Sequence, residues 1–162
     1  MVSFRLATAN DLEALLELQQ RYYAEDGYPF VQRTARDAWE PLLKNSNLGC
    51  VWVAEDGVTL VAYAVLTFGY SLEYHGRTAV LDELFVALRH RRRGLGREAL
   101  QVLETTCRSH GVRALHLVAE HTNVEALQLY RTHGFVNHGR CVMTQRFDVE
   151  PSDDGGRGLA GA

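Results

Sequence analysis

The sequence predicts an α/β (mixed α+β) fold built on one mixed sheet, antiparallel in its first half and closed by a crossover in its second. Three observations carry this prediction. The hydrophobic periodicities run strand, two helices, three strands, then helix, strand, helix, strand. An Asp56-Gly57 dipeptide stands between two β-rich runs, a strong hairpin signal. Strand and helix alternate after His90, and parallel neighbours cannot be joined by a two-residue turn, so a crossover is needed there.

The elements follow in order. "SFRLA" alternates and reads as the first strand. Thr8 or Asn10 can cap a helix through "DLEALLELQQRYYAE", in which Leu12, Leu15, Leu16 and Leu18 give an apolar face. Gly27 and Pro29 in "DGYPF" end it. Thr34 starts a second helix, "TARDAWEPLLKN", which Pro41 should kink or split. "CVWVAED" and "TLVAYAVLTFGYSLEY" are strands around the Asp56-Gly57 turn, and "HGR" turns the chain into the strand "TAVLDELFVAL". Leu95, Ala99, Val102, Leu103, Thr106 and Cys107 mark one face of the next helix, which Gly111 ends. "ALHLVAE" is a strand. Thr122 and Glu125 fit a capping box for the helix "NVEALQLYRTH", which Gly134 ends. "RCVMTQRFDV" reads as a last strand. Residues 1–149 form a single domain, and the tail over residues 150–162, with Leu159 its one large apolar residue, reads as disordered.

The composition narrows the function classes. A chain of 162 residues with 46% hydrophobic and 23% charged residues suits one soluble globular domain. A net charge of -3 argues against a nucleic-acid binder, so no nucleic-acid partner is expected. Three scattered cysteines, Cys50, Cys107 and Cys141, give no disulfide framework and point to a reducing, cytoplasmic setting. The N-terminus, interrupted by Arg5, Asn10 and Asp11, does not read as a signal peptide, and no apolar run approaches a membrane span, so no membrane partner is expected. The histidine and cysteine spacings match no zinc site, and no metal is expected.

The segment "RHRRRGLGREAL" sets Arg89, Arg91, Arg92 and Arg93 before two glycines at a helix start. A helix N-terminus leaves amides unpaired and carries partial positive charge. Gly94 and Gly96 let an anion approach backbone without meeting a Cβ, and the arginines add charge around the same point. "GLGREA" formally fits a dinucleotide fingerprint, but it lies mid-chain, with five basic residues between strand and glycine. No Lys-Ser/Thr follows, so it is not a P-loop. The segment reads as a seat for a pyrophosphate.

"LDELFVALRHRRRGLGREALQVLE" resembles motif A of the GNAT-type N-acetyltransferases, Arg/Gln-x-x-Gly-x-Gly/Ala, here Arg91, Gly94 and Gly96. "NVEALQLYRTHGF", with Asn123, Ala126, Leu129, Tyr130, Gly134 and Phe135, resembles that family's second motif. The resemblance covers about residues 3 to 148, the first fifty by layout more than by motif. It implies a central mixed, mostly antiparallel sheet of about six to seven strands with about four helices, and acetyl-CoA as cofactor. Arg91, Arg92, Arg93, Gly94, Leu95 and Gly96 would then hold the pyrophosphate, with Asn123 and Tyr130 as further cofactor contacts. The pantetheine arm would lie along Leu84, Phe85 and Val86 like an added strand, with the Val86 amide as oxyanion donor.

The resemblance implies a reaction, and the residues suggest its parts. Acetyl transfer to an amine needs a group to take the amine's proton and one to protonate the leaving thiolate. Tyr130 is the candidate acid. For the base the strand offers Asp82 and Glu83. Strict alternation puts Asp82 on the face of Leu84 and Val86, so Asp82 is preferred and Glu83 held in reserve. The segment joining the first two helices walls the acceptor site in this family. Here Tyr22, Tyr23, Glu25, Asp26 and Tyr28, with Glu73 from "SLEYHG", would make an aromatic and acidic pocket. The expected partner is a small cationic amine, acetylated by direct attack in a ternary complex, with a homodimer as the candidate assembly. The alternatives are a protein or peptide N-terminal acetyltransferase and a non-catalytic acetyl-CoA-binding module.

Overall fold

The computed structural model describes residues 2–147. Strand β1 (Ser3–Leu6) leads through a 3-10 turn, Ala9–Asp11, into helix α1 (Leu12–Asp26), followed by α2 (Gln32–Lys44). Strands β2 (Gly49–Asp56), β3 (Thr59–Ser71) and β4 (Gly76–Val86) form a meander. A 3-10 turn, Leu88–His90, then leads to α3 (Leu95–Ser109), β5 (Ala114–Leu117) and α4 (Val124–Thr132). The sheet order is β1-β2-β3-β4-β5. Among the described residues only the β4–β5 pair is parallel, as a helical crossover requires.

The sheet is covered on both faces. Leu15, Leu16, Trp39, Tyr63, Val65 and Phe85 pack α1 and α2 against one face. Ala64, Leu66, Ala79, Leu81, Ala99 and Leu103 pack α3 against the other. Alternation along β3 divides Tyr63 and Val65 from Ala64 and Leu66, so one strand feeds both cores. The entry to α1 is tied down by Asp11, whose carboxylate accepts from Thr8 N–H at 2.7 Å and from both terminal nitrogens of Arg5 at 2.9 and 2.7 Å. Arg5 also reaches Glu55 on β2, through Nε at 3.0 Å.

Several expectations need correction. Pro41 lies inside α2 without ending it, and Asn45 N–H still closes onto Pro41 C=O at 3.0 Å. Proline here deprives only the carbonyl of Asp37, an exposed residue, whose oxygen water can satisfy. The helix also starts at Gln32, two residues before Thr34. The hairpin turn is Gly57-Val58, with Asp56 paired to Thr59; Gly57 takes φ +66° at the first turn position. No capping box of Thr122 and Glu125 forms on α4. Asn123 is the cap, its Oδ1 accepting from Ala126 N–H at 3.1 Å.

Among the described residues the sheet has five strands rather than six or seven, because residues 140–147 of the expected last strand join no ladder. The end of that segment and the tail over 150–162 lie outside the described residues. Among those described, no helix is long and apolar enough to cross a membrane.

Two irregularities place the site. The β3–β4 register runs Val65↔Glu83 and then Leu66↔Leu81, so Asp82 is an extra, bulged residue. The β4–β5 pairing covers only Thr78–Leu81 against Ala114–Leu117. Among the described residues, β4 runs on beyond Leu81 to Val86 with no strand paired on its β5 side.

Candidate active site

A cleft of about 1020 Å³ opens where β4 and β5 part. Its walls are the Leu81–Val86 stretch of β4, the glycine segment at the start of α3, Leu117–Glu120 after β5, the Leu129 and Tyr130 face of α4, and the end of α1. Ala87 N–H bonds Val61 C=O at 2.8 Å, so the backbone polar groups of Ala87 point at β3. By strand alternation those of Val86 point away from β3, toward the cleft. The Val86 carbonyl is accordingly met there by Arg91 Nε at 2.8 Å. The Val86 amide shares this direction.

The glycine segment makes the far end of the cleft. Gly94 caps α3 with φ +89°, a conformation that favours glycine. A Cβ on it would meet nothing of the protein closer than Glu98 Oε1 at 4.0 Å, so the space over it is open. Gly96 has a different reason: a Cβ there would stand 3.1 Å from Leu129 Cδ2, so this glycine lets α3 approach α4. Leu95 is buried in one apolar cluster with Ala54, Val61 and Ala62, against which Val86 packs, and anchors the turn. Arg91 pairs with Glu25 and Arg92 with Glu125, both at the rim. Arg91, Arg92, Gly94, Leu95, Gly96 and Asn123 line the cleft with Leu84, Phe85 and Val86; Arg93 does not.

The bulge takes Asp82 out of the simple alternation on which its preference rested. Because Asp82 is an inserted residue, Leu81 and Leu84 both face α3, while Glu83 and Phe85 face α1. Asp82 is exposed at the cleft edge. Glu83 is the organised carboxylate. Its Oε1 accepts from Tyr23 Oη at 2.8 Å, its Oε2 from Tyr63 Oη at 2.7 Å, and Gln19 Nε2 approaches the two oxygens at 3.1 and 3.3 Å. Gln19 Oε1 in turn accepts from Trp39 Nε1 at 2.8 Å.

Gln19, Tyr63 and Trp39 are absent from the sequence-predicted set. A signal for Gln19 existed: it falls at i+4 from Leu15 and i+3 from Leu16, a polar residue inside an apolar stripe. Tyr63 and Trp39 read as ordinary core residues, since nothing local reveals which buried aromatic meets a carboxylate.

Of the expected acceptor wall, Tyr22, Tyr23, Glu25, Asp26 and Tyr28 all line the cleft. Tyr23 packs edge-on against both Tyr22 and Tyr28, with centroids 5.6 and 5.7 Å apart. Burial pushes the Tyr22 and Tyr23 phenols well above the usual tyrosine range. Glu73 is not part of the wall. It lies in the β3–β4 turn and forms a bidentate pair with Arg140 at 2.9 and 2.8 Å, because the β3–β4 hairpin carries that turn away from the split. Tyr130 lines the cleft from α4, its ring edge-on to Phe135 at 5.7 Å, and burial raises its phenol pKa.

Comparison with known proteins agrees with this geometry. The family described as acetyltransferase (GNAT) matches residues 12–135. No match is found among curated proteins. Among solved structures, the chain is similar to an integron cassette protein from the mobile metagenome of Cole Harbour Salt Marsh, at 33% identity and TM-score 0.82, covering 91% of each chain. It shares its fold with a ribosomal-protein-alanine N-acetyltransferase from Brucella melitensis biovar Abortus, at 19% identity and TM-score 0.71, over 91% of this chain and 100% of that one. The same holds for an aminoglycoside N-acetyltransferase in complex with CoA, at 15% identity and TM-score 0.77, over 90% of this chain and 95% of that one.

Proposed function

The chain belongs to the acetyltransferase (GNAT) family, and from that premise we propose that it is an acetyl-CoA-dependent N-acetyltransferase whose acceptor is a small cationic amine. The observation that carries the proposal is a juxtaposition in one cleft. Unpaired β4 backbone, an open helix N-terminus at Gly94 and a triply hydrogen-bonded carboxylate, Glu83, face the same space.

The residues fit coenzyme A. The open space over Gly94 and the first amides of α3 suit a pyrophosphate, with Arg91 and Arg92 beside it. The cleft-facing backbone of Leu84 and Val86 suits an amide-bearing arm that pairs with it as a strand would. When bound, acetyl-CoA supplies the acetyl group as an activated thioester. Val86 N–H, which faces the cleft, would donate to the acetyl carbonyl oxygen. Tyr130, whose phenol pKa burial raises, would be the O–H donor for the leaving sulfur. Glu83 Oε takes the acceptor's proton, directly or through one water; the N–H bond breaks, the electron pair stays on nitrogen, and nitrogen becomes the nucleophile. Attack is direct, with both substrates in the cleft.

The acceptor class follows from the wall. Glu25, Asp26, Asp82 and Glu83 line the cleft together with Tyr22, Tyr23 and Tyr28. A cation near a carboxylate gains roughly 1 to 4 kcal/mol per close pair, depending on how much water remains. Tyrosine faces add preference for an ammonium over a neutral amine. The structural neighbours act on both protein and small-molecule acceptors by their descriptions, and the wall chemistry is what supports a small cationic acceptor here. The three free cysteines suit a reducing, cytoplasmic setting.

The test is kcat/KM for diamines, amino acids and short peptides, on wild type and on Asp26→Asn. Diamines should rank first, and Asp26→Asn should raise their KM while leaving that of neutral amines unchanged. Preference for peptides would replace this reading with a peptide N-terminal acetyltransferase.

A further inference from the structure

We propose that Gln19, locked by Trp39, is a positioning residue that orients Glu83 as proton acceptor. The inference rests on the reading of Glu83 given above and deepens it.

Gln19 is a buried amide on α1, in a helix face otherwise made of leucines. Burying an amide is costly unless its polar groups are paired. Here both ends are paired, and with different chemistry. The oxygen accepts from the Trp39 indole, a donor that can never accept. The nitrogen donates toward Glu83, a carboxylate that when ionised can only accept. The opposite amide orientation would set N–H against N–H at Trp39 and oxygen against oxygen at Glu83. Trp39 therefore dictates which way the amide points, and the amide dictates where Glu83 sits.

The relay crosses three elements. Trp39 on α2 is 4% exposed, and Gln19 on α1 is 9% exposed. Glu83 stands next to the bulge of β4. Tyr23 and Tyr63 hold one carboxylate oxygen each from α1 and β3, and Gln19 spans both oxygens. A carboxylate offers about four lone-pair positions and the three donors make four contacts to it, so the acceptor's proton would take the place of the longest, Gln19 to Oε2 at 3.3 Å. The tyrosines fix the oxygens' distances, and Gln19 fixes the plane of the carboxylate. Without it the carboxylate can rotate about its last bond, and misplacement on the order of 1 Å costs about 100-fold in rate.

The test is a double-mutant cycle. Gln19→Met keeps volume and removes both hydrogen bonds, Trp39→Phe keeps an aromatic ring and removes the indole donor, and each is made in wild type and in Glu83→Gln. Thermal unfolding and calorimetric binding of acetyl-CoA are measured beside steady-state kinetics. In wild type each change should lower kcat by about 10- to 100-fold, leaving the acetyl-CoA Kd within about twofold. In the Glu83→Gln background neither should lower kcat further.

Wild-type kcat in both Gln19→Met and Trp39→Phe, beside a low kcat in Glu83→Gln, overturns the relay and leaves Glu83 as base. The same fractional loss in both backgrounds also overturns it, since Gln19 would then act by packing alone. Wild-type kcat in Glu83→Gln removes the base reading and the relay together. Should Gln19→Met fail to fold, Trp39→Phe carries the cycle alone, with the same outcomes.

Discussion

Tyr63 and Glu83 lie on neighbouring antiparallel strands, and the Tyr63 phenol donates to Glu83 Oε2 at 2.7 Å from a fully buried position. The bulge at Asp82 makes this contact possible, because it turns Glu83 and Phe85 toward the face that Tyr63 occupies. The two neighbouring carboxylates should therefore respond very differently to neutralisation. Glu83→Gln should lower kcat by about 10²–10⁴, whereas Asp82→Asn, at an exposed position, should change it by no more than about threefold. Parallel assays at saturating acetyl-CoA check this; comparable losses in the two variants would deny Glu83 its special place.

Tyr130→Phe keeps the ring edge against Phe135 and removes only the O–H. If the phenol donates to the leaving sulfur, kcat should fall by roughly 10²–10⁴ with the acetyl-CoA Kd nearly unchanged. Single-turnover measurement isolates the chemical step. An unchanged rate there would return Tyr130 to a packing role.

How far the sequence reached depends on the range of the signal. Helices and strands with strong periodicity were legible, and so was the glycine-led start of α3, because glycines at a helix start state their geometry locally. The bulge at Asp82 was not, since "VLDELFV" alternates as well with an inserted residue as without one; only pairing with β3 reveals it. The Gln19–Glu83 contact spans 64 residues and the Gln19–Trp39 contact 20, distances over which no local pattern speaks. Glu73 was placed near the site by its charge, and the length of the β3–β4 hairpin moves it out. Pro41 was expected to kink or split its helix, and the helix is not split, because the carbonyl it deprives belongs to an exposed residue.

At the cofactor end, Gly94→Val should weaken acetyl-CoA binding tenfold or more. Beyond its chain neighbours and its own helix turn the added Cβ meets only Glu98 Oε1, at 4.0 Å, so the fold loses chiefly the cost of a side chain at positive φ, at least about 1–2 kcal/mol for a β-branched residue. Calorimetry on the folded variant decides the matter, and unchanged affinity would move the pyrophosphate elsewhere.

Glu25 is paired with Arg91 across the rim and also faces the acceptor wall. Glu25→Gln should therefore act in opposite directions on the two substrates. Acetyl-CoA KM should fall by about two- to threefold as Arg91 is released, and KM for a diamine should rise. Added salt should shrink both effects. Movement of both constants in the same direction would contradict the assignment.

Stability has its own pH signature. Arg5 holds the Asp11 carboxyl down to about 2 from an ordinary value of 3.8. A depressed folded-state pKa means that the contribution is present above about pH 4 and is lost as pH falls toward 2. Asp11→Asn should lower the midpoint of unfolding at pH 7 and flatten the loss of stability between about pH 4 and 2. Denaturant titrations across that range check it; parallel curves for the two proteins would place the acid sensitivity elsewhere.

The central claim, that this cleft transfers acetyl to an amine, is met most directly by the initial velocity of thiol release from acetyl-CoA with and without a diamine. The account predicts release that rises hyperbolically with diamine, matched mole for mole by acetylated diamine in the mass spectrum. Tight calorimetric binding of acetyl-CoA without any amine-dependent release, across diamines, amino acids and peptides, would contradict it and leave a binding module.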